Sequence, residues 1–432
     1  MATARYKPVD VIEVRIWNKR VGAVAANPRG RAYVFEYDPK WVDMGIQLAP
    51  LTMRAAPGEP GVYTFPGLPE ETFRGLPGLL SDALPDKFGN RLIDAWLAER
   101  GMRPESVSVL DRLAYMNKRG MGALEFRPAR GAVSAATSPI QMANLVEQAR
   151  RALHTDLPED ADAADTLRQL ISVGTSAGGA RAKAVVGWNP LARELIAGQF
   201  DLPKGYTHWL LKFDGVGQDQ QLGPSMQYGR IEYAYYLMAL VAGVEMTECS
   251  LLEEGERAHF MTKRFDRDGN EKIHVQSLCA LRHMDYNMTG THAYESLFLV
   301  AQELALGEAA MAQLFTRMAF NVAAKNQDDH TKNFAFMMRK DRPWQLAPAY
   351  DVTFACDPSN KWMRAHQMSV AGKFEDITRE DLLKVADRFS VPDPKGVLDA
   401  INEAVARWQE FAGAAGVDDA EIERIGALHR VL

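Results

Sequence analysis

The residues best equipped for chemistry lie in Asn326–Phe336, which reads NQDDHTKNFAF. Adjacent carboxylates, an imidazole, an ammonium and side-chain amides occur within Asn326–Asn333, and the apolar Phe334-Ala335-Phe336 then returns the chain to a core. Asp328 precedes Asn333 by five residues, and a further carboxylate, Asp351, follows Asn333 by 18 in Tyr350-Asp351-Val352. This order suits metal-assisted phosphoryl transfer. The transferring group spreads charge over its oxygens, so catalysis is largely positioning and charge neutralisation. Mg²⁺ prefers hard oxygen ligands and takes few of them from protein. Asn333 and Asp351 offer one neutral and one charged oxygen, Asp328 can accept or orient a hydroxyl proton, and Lys332 is close enough in sequence to approach a γ-phosphate. His330 with Asp328 and Asp329 also admits a divalent-metal hydrolase, although no second histidine-rich segment completes such a site. A third reading has His330 hydrogen-bonding the backbone around Asp328. Asp329 is expected to be structural or solvent-facing.

Phosphoryl transfer also needs elements that hold a nucleotide. Ser172–Lys183 is the densest run of small residues. It lies between expected strands at Gln169–Val173 and Ala184–Trp188. Thr175, Ser176, Ala177, Gly178, Gly179, Ala180 and Lys183 are the candidate phosphate-contacting residues, because glycines let backbone N–H groups approach an anion. The same run also fits a plain hairpin turn, and it lacks the Gly-Lys-Ser/Thr ending of a Walker A loop. Tyr206–Phe213 reads as a strand delivering Lys212, a residue able to pair α- and β-phosphates. Ile231–Ala242 reads as a helix with Glu232 near its start. Glu232 either holds that lysine or is a solvated first-turn residue favoured by the helix dipole. Arg264 and Arg267 are either phosphate ligands or salt-bridged scaffold.

The remaining chain frames these pieces. Val11–Trp17 alternates as a strand, Asn18-Lys19-Arg20 is expected to turn, Val21–Val24 begins the return and Arg31–Tyr37 is a third strand. Gly75–Leu97 has helical spacing broken at Pro85, which predicts two helices. Gly122–Phe126 closes the meander. Pro128–Pro139 reads as a linker, Ile140–Leu153 as a helix and Thr155–Asp165 as an acidic loop. Helices are predicted at Glu295–Leu306, Ala309–Ala323, Asp381–Phe389 (capped by Thr378) and Asp418–Leu428. Val397, Ile401, Val405, Trp408 and Phe411 form the stripe of one more. The expected segments are 1–128, 129–255 and 256–432.

Composition sets limits. The chain has 432 residues, 50 Lys+Arg against 56 Asp+Glu, and a net charge of −6. That balance argues against a broad basic face for nucleic acid. Three scattered cysteines support neither a disulfide framework nor a zinc ribbon. No signal core or membrane-length apolar run is evident, so a cytoplasmic protein is expected.

The ordered landmarks GLLSDALPDKFGN, SAGGARAK, THWLLKF, NQDDHTKNFAF and PAYDVTFA resemble those of the HipA-family serine/threonine kinases, the toxins of type II toxin–antitoxin modules. The resemblance covers essentially the whole chain. It implies an α+β fold related to protein kinases, with an α/β N-terminal half and a mainly helical C-terminal lobe. It implies ATP and Mg²⁺ as cofactors, Asp328 as catalytic base with Lys332 and His330 beside it, and Asn333 and Asp351 as metal ligands. Lys212 and Glu232 would belong to the ATP site, and Ser176 would be the autophosphorylated serine of the glycine loop. It further implies a HipB-like helix-turn-helix antitoxin as partner, DNA contact only through that antitoxin, and a protein substrate such as an aminoacyl-tRNA synthetase. The alternatives are a small-molecule kinase of the aminoglycoside or choline type and a non-catalytic corepressor scaffold.

Overall fold

A computed structural model describes residues 7–28, 30, 32–85, 87–98, 100–130, 182–214, 227–254 and 257–432. The chain forms two compact units. The first comprises Met1–Met226, Glu253–Val275 and Ala280–His283; the second comprises Gln227–Leu252, Gln276–Cys279 and Met284–Leu432. The three segments expected from sequence are thus distributed over two units, and the chain passes between them more than once. Among the described residues no helix is long and apolar enough to cross a membrane.

The first unit begins with an antiparallel sheet of order β4-β3-β2-β1-β5. Its strands are β1 (Val11–Ile16), β2 (Lys19–Ala26), β3 (Tyr33–Tyr37), β4 (Val62–Tyr63) and β5 (Glu125–Arg127). Alternation explains β1: Ile12, Val14 and Ile16 are fully buried while their neighbours are not. The first turn is Trp17-Asn18 rather than Asn18-Lys19-Arg20. Both residues have left-handed φ, 46° and 62°, so a two-residue hairpin closes and Lys19 already pairs with Ile16. Gly22 is required on β2, because a Cβ there would lie 2.1 Å from the Glu36 carbonyl oxygen.

Pro85 does separate two helices, Gly78–Ser81 and Lys87–Ala98. Gly78 opens the first within a conspicuous motif. A Cβ there would meet the Ala280 carbonyl oxygen at 2.1 Å, and its amide donates to Nε2 of His283 at 3.0 Å.

The second sheet of this unit contains β6 (Lys183–Asn189), β7 (Glu194–Ala197), β8 (Thr207–Lys212) and β9 (Arg257–Lys263), in the order β7-β6-β8-β9 and antiparallel throughout. Just beyond β9, Arg264 and Arg267 both bind Asp266, which also accepts from the Gly122 amide at 2.7 Å. Burial alone would raise the Asp266 carboxyl; the two guanidinium groups and these hydrogen bonds instead hold it below the ordinary carboxylate range. The arginines are therefore committed to scaffold and not to a phosphate.

The second unit is mainly helical: Tyr228–Val241, Tyr294–Glu303, Glu308–Ala323, Arg379–Arg388, Pro394–Ala406, Trp408–Ala414 and Asp419–Gly426. Leu297, Phe298, Leu314, Phe315 and Met318 are buried at its centre. Phe298 stacks on Phe389 with centroids 4.9 Å apart. Thr378 caps its helix as the sequence suggested, and Asp381 completes a reciprocal capping box with it. The stripe from Val397 to Phe411 does not belong to one helix. The helical hydrogen bonding breaks at Arg407, so Ile401 and Val405 lie on one helix and Trp408 and Phe411 on the next.

Burial pushes His208, His274, His283 and His429 from 6.5 down to about 4. The unfolded chain therefore takes up protons as pH falls below about 6.5, whereas the folded chain resists until about 4. The unfolded state binds more protons in that window, so stability is lost as pH falls through it. Thermal unfolding should show a midpoint that drops steadily between pH 7 and pH 4.5; a midpoint that is flat or rises contradicts the neutral burial of these rings.

Candidate functional site

The Asn326–Phe336 loop is shaped by what surrounds it in the second unit. Helix Glu308–Ala323 ends at Ala324, and Lys325 turns the chain with φ 56°. The Gln327 amide then donates to Ala355 O at 2.9 Å and the Ala355 amide to Lys325 O at 3.1 Å, a short parallel bridge. Beyond the loop the chain enters a hairpin of β10 (Ala335–Met338) and β11 (Trp344–Leu346), with Phe336 opposite Leu346. That hairpin returns Asp351 toward Asn333. Tyr350 Oη donates to Lys332 O at 2.7 Å and so ties the second segment to the first.

The two adjacent carboxylates have opposite environments. Asp329 is only 1% exposed. Its Oδ2 accepts from Tyr294 Oη at 2.7 Å and from His366 Nδ1 at 2.8 Å, and its Oδ1 accepts from the Gln367 amide at 2.7 Å. Asn321 Nδ2 donates to Tyr294 Oη, and Asn326 Nδ2 donates to Asn321 Oδ1. Burial, with Asp329 beside it, pushes the Tyr294 hydroxyl well above its ordinary value, so it remains a donor. Asp329 is a buried anchor and faces no solvent. The Asp328 side chain is 49% exposed.

Asn333 sits at the end of a 3₁₀ turn, Thr331–Asn333. Its Nδ2 donates to Asp328 O at 2.8 Å. That bond fixes the amide orientation and directs Oδ1 the other way. Asp351 holds a left-handed φ of 52°, a strained conformation for a residue with a Cβ, of the kind that gathers at functional sites. Asn333, Asp351, Tyr350, Asp329, Asn326 and Arg317 line one cavity. Hard oxygens at Asn333 and Asp351 beside a cavity fit a divalent cation held chiefly by a phosphate ligand. Asp329 lines the same cavity, but its carboxylate is buried in bonds to Tyr294, His366 and Gln367 while Asp328 is half exposed; a hydrolase cluster of Asp328, Asp329 and His330 is not what the geometry supports.

His330 does not hydrogen-bond the backbone around Asp328. Its Nδ1 is buried without a hydrogen-bond partner among the described residues, and its Nε2 lies 3.7 Å from Asp328 Oδ1. Lys332 and His330 share one neighbour, Tyr286, which nothing in the sequence pattern singled out. Arg317 was also missed. It is buried on helix Glu308–Ala323, Nη1 donates to Ala347 O at 2.8 Å, and Nε and Nη2 have no hydrogen-bond partner among the described residues. Burial lowers its guanidinium to about 10. The Ala347 amide in turn donates to Ala335 O. Arg317 thus grips the rung between the chain leaving Asn333 and the chain approaching Asp351. A charged residue on an otherwise apolar helical face was the available signal.

Glu232, also in the second unit, is 2% exposed on helix Tyr228–Val241, so it is not a solvated first-turn residue. In the first unit, Lys183 on β6 lies directly opposite Lys212 on β8. Both are buried, at 7% and 9% exposed. Like charges so placed are unfavourable unless anionic groups sit beside them. Lys212 Nζ lies 5.6 Å from the Phe260 ring centroid. Thr175, Ser176, Ala177, Gly178, Gly179 and Ala180 lie outside the described residues, as do the predicted strand Gln169–Val173 and helix Ile140–Leu153.

Two domain families account for most of the chain: the HipA N-terminal domain matches residues 12–127 and the HipA-like C-terminal domain matches residues 175–412. The chain belongs to the HipA family. No curated protein matches it. Among solved structures it is similar to a Shewanella oneidensis MR-1 protein from a toxin–antitoxin complex of HipA, HipB and operator DNA. The TM-score is 0.64 at 16% identity, over 96% of this chain and 95% of that one. A weaker likeness, TM-score 0.34 at 12% identity, links 52% of this chain to 88% of the Helicobacter pylori proinflammatory kinase CtkA. The mixed α+β fold is thus that of HipA.

The two carboxylates should respond differently to truncation. Asp329→Ala leaves a phenol, an imidazole and an amide without their acceptor and should cost about 3 kcal/mol, whereas Asp328→Ala should cost less than about 0.5 kcal/mol. Urea unfolding of both variants checks this; equal losses would contradict the anchor role of Asp329.

Proposed function

We propose that this HipA-family chain is an ATP- and Mg²⁺-dependent serine/threonine protein kinase acting as the toxin of a type II toxin–antitoxin module. The observation that carries this reading is the locked Asn333 amide, with its oxygen left for a metal beside the Asp351 segment that Tyr350 pins to Lys332. Asn333 and Asp351 would hold Mg²⁺, which would supply charge neutralisation for the phosphates. Asp328, half exposed on the same loop, accepts or orients the proton of the acceptor hydroxyl. Lys332 approaches the transferring phosphoryl, and His330 lies beside Asp328. Lys183 and Lys212, opposed on neighbouring strands, supply positive charge for nucleotide phosphates. Thr175–Ala180 and Glu232 are assigned to nucleotide binding in this reading by the family resemblance of their motifs alone.

The partner in this reading is a HipB-like helix-turn-helix antitoxin, through which DNA contact is indirect. The substrate is a translation component of the aminoacyl-tRNA synthetase class, and the site of action is the cytoplasm. Ser176 is the proposed site of inactivating autophosphorylation. A phosphate there adds about −1.5 to −2 charges and repels the loop from bound nucleotide phosphates.

Asp328→Asn should abolish transfer of labelled γ-phosphate to protein without altering thermal stability, and undiminished transfer contradicts the assignment. Label appearing on a metabolite and on no protein would favour a small-molecule kinase instead. Incubation of the wild-type chain with Mg·ATP should add one phosphate within residues 174–183 by intact-mass and peptide analysis. A loop that stays unmodified after long incubation rules out this form of self-inhibition.

A further inference from the structure

The segment Met284–Thr291 carries a role that the proposed reaction does not assign. It is docked on the Asn326–Phe336 loop at one end, where Thr331 Oγ1 donates to Met284 O at 2.8 Å. It is closed at the other by a hydrogen bond between His292 Nε2 and Asp285 O at 2.7 Å. Asp285 is buried and its Oδ1 accepts from the Asn287 amide at 2.9 Å, so the backbone around Tyr286 is held on both sides. Met288, two residues on, is exposed.

Tyr286 is half buried. Its ring meets the His330 ring with centroids 5.3 Å apart at a 50° tilt. Lys332 Nζ lies 5.3 Å from the same ring centroid, within the reach of a cation–π interaction. One aromatic ring therefore touches both ionisable neighbours of Asp328 and Asn333. A lysine side chain has several freely rotating bonds, and an ammonium that must meet a moving phosphoryl is effective only where those rotations are already restricted. The hydrogen bond from Tyr350 to Lys332 O fixes the backbone of Lys332 but leaves its side chain to other contacts.

We infer that Tyr286 is a positioning residue, whose ring holds the Lys332 ammonium and the His330 imidazole over the Asp328–Asn333 loop. The inference rests on the phosphoryl-transfer reading of that loop. The ring face does the holding and the phenol oxygen is not needed, so an aromatic replacement retains the function and an aliphatic one of similar bulk does not.

Two readouts on the full-length chain test this. The first is steady-state turnover of Mg·ATP. Tyr286→Leu should lower kcat about tenfold with KM for ATP changed less than about twofold, and Tyr286→Phe should restore most of the loss. In a Lys332→Met background, Tyr286→Leu should add little further loss, because the group it positions is gone. The second readout is the rate of Lys332 acetylation by acetic anhydride, followed by peptide mass spectrometry. It should rise several-fold in Tyr286→Leu and stay near wild type in Tyr286→Phe. A Tyr286→Leu variant that matches wild type in both readouts overturns the inference, as does a full tenfold loss that persists in the Lys332→Met background. If the wild-type chain turns over no ATP, the phosphoryl-transfer reading fails, and the acetylation rates alone still decide whether Tyr286 restrains Lys332.

Discussion

A carboxylate that never meets water organises the second unit. Asp329 draws Tyr294, His366 and the Gln367 amide onto one point, and through Tyr294 it reaches Asn321 and Asn326. A buried charge persists only when its hydrogen-bonding capacity is filled, and removing the charge strands every donor at once. The consequence is geometric. The loop cannot shift without breaking that network, so Asp328 is presented outward at the neighbouring position, while Thr331 and the Asn333 amide close the turn that follows. A helix, the loop and the segment after Asp351 all meet at this one side chain.

A second constraint sets the relation between Asn333 and Asp351. They are far enough apart in sequence that only the β10–β11 hairpin can return one to the other. Its last rung, Ala347 to Ala335, is gripped from below by Arg317. Two nitrogens of this buried guanidinium have no hydrogen-bond partner among the described residues, which is costly. It lies against the rung and lines the cavity beside Asn333 and Asp351. Asp351 adds a left-handed φ of 52° to this segment, a conformation that carries a local cost.

Much of this was legible from residue types and spacing, for identifiable reasons. Asp328 and Asn333 are brought together because the turn between them is local, closed by the Asn333 amide on Asp328 O. β1, the capping box at Thr378 and the break at Pro85 follow from alternation, side-chain caps and the missing N–H of proline. What was not legible depended on long-range contacts. Nothing local distinguishes Asp329 from Asp328; only Tyr294, His366 and Gln367, distant in sequence, bury one and expose the other. Tyr286 and Arg317 look like ordinary loop and helix residues until the fold brings them to the loop. The same limit applies to Glu232, whose burial comes from tertiary packing, and to the stripe beyond Val397, where apolar spacing continued past a helix end at Arg407.

Asn333 and Asp351 are proposed as the oxygen pair for a divalent cation bound with its nucleotide. Mn²⁺ serves as the paramagnetic substitute for Mg²⁺, and its binding with ATP to the full-length chain can be followed by electron paramagnetic resonance. Wild type should bind Mn·ATP tightly, while Asp351→Asn and Asn333→Ala should each weaken the metal's retention by about tenfold or more. Mn²⁺ affinities indistinguishable from wild type in both variants would contradict it.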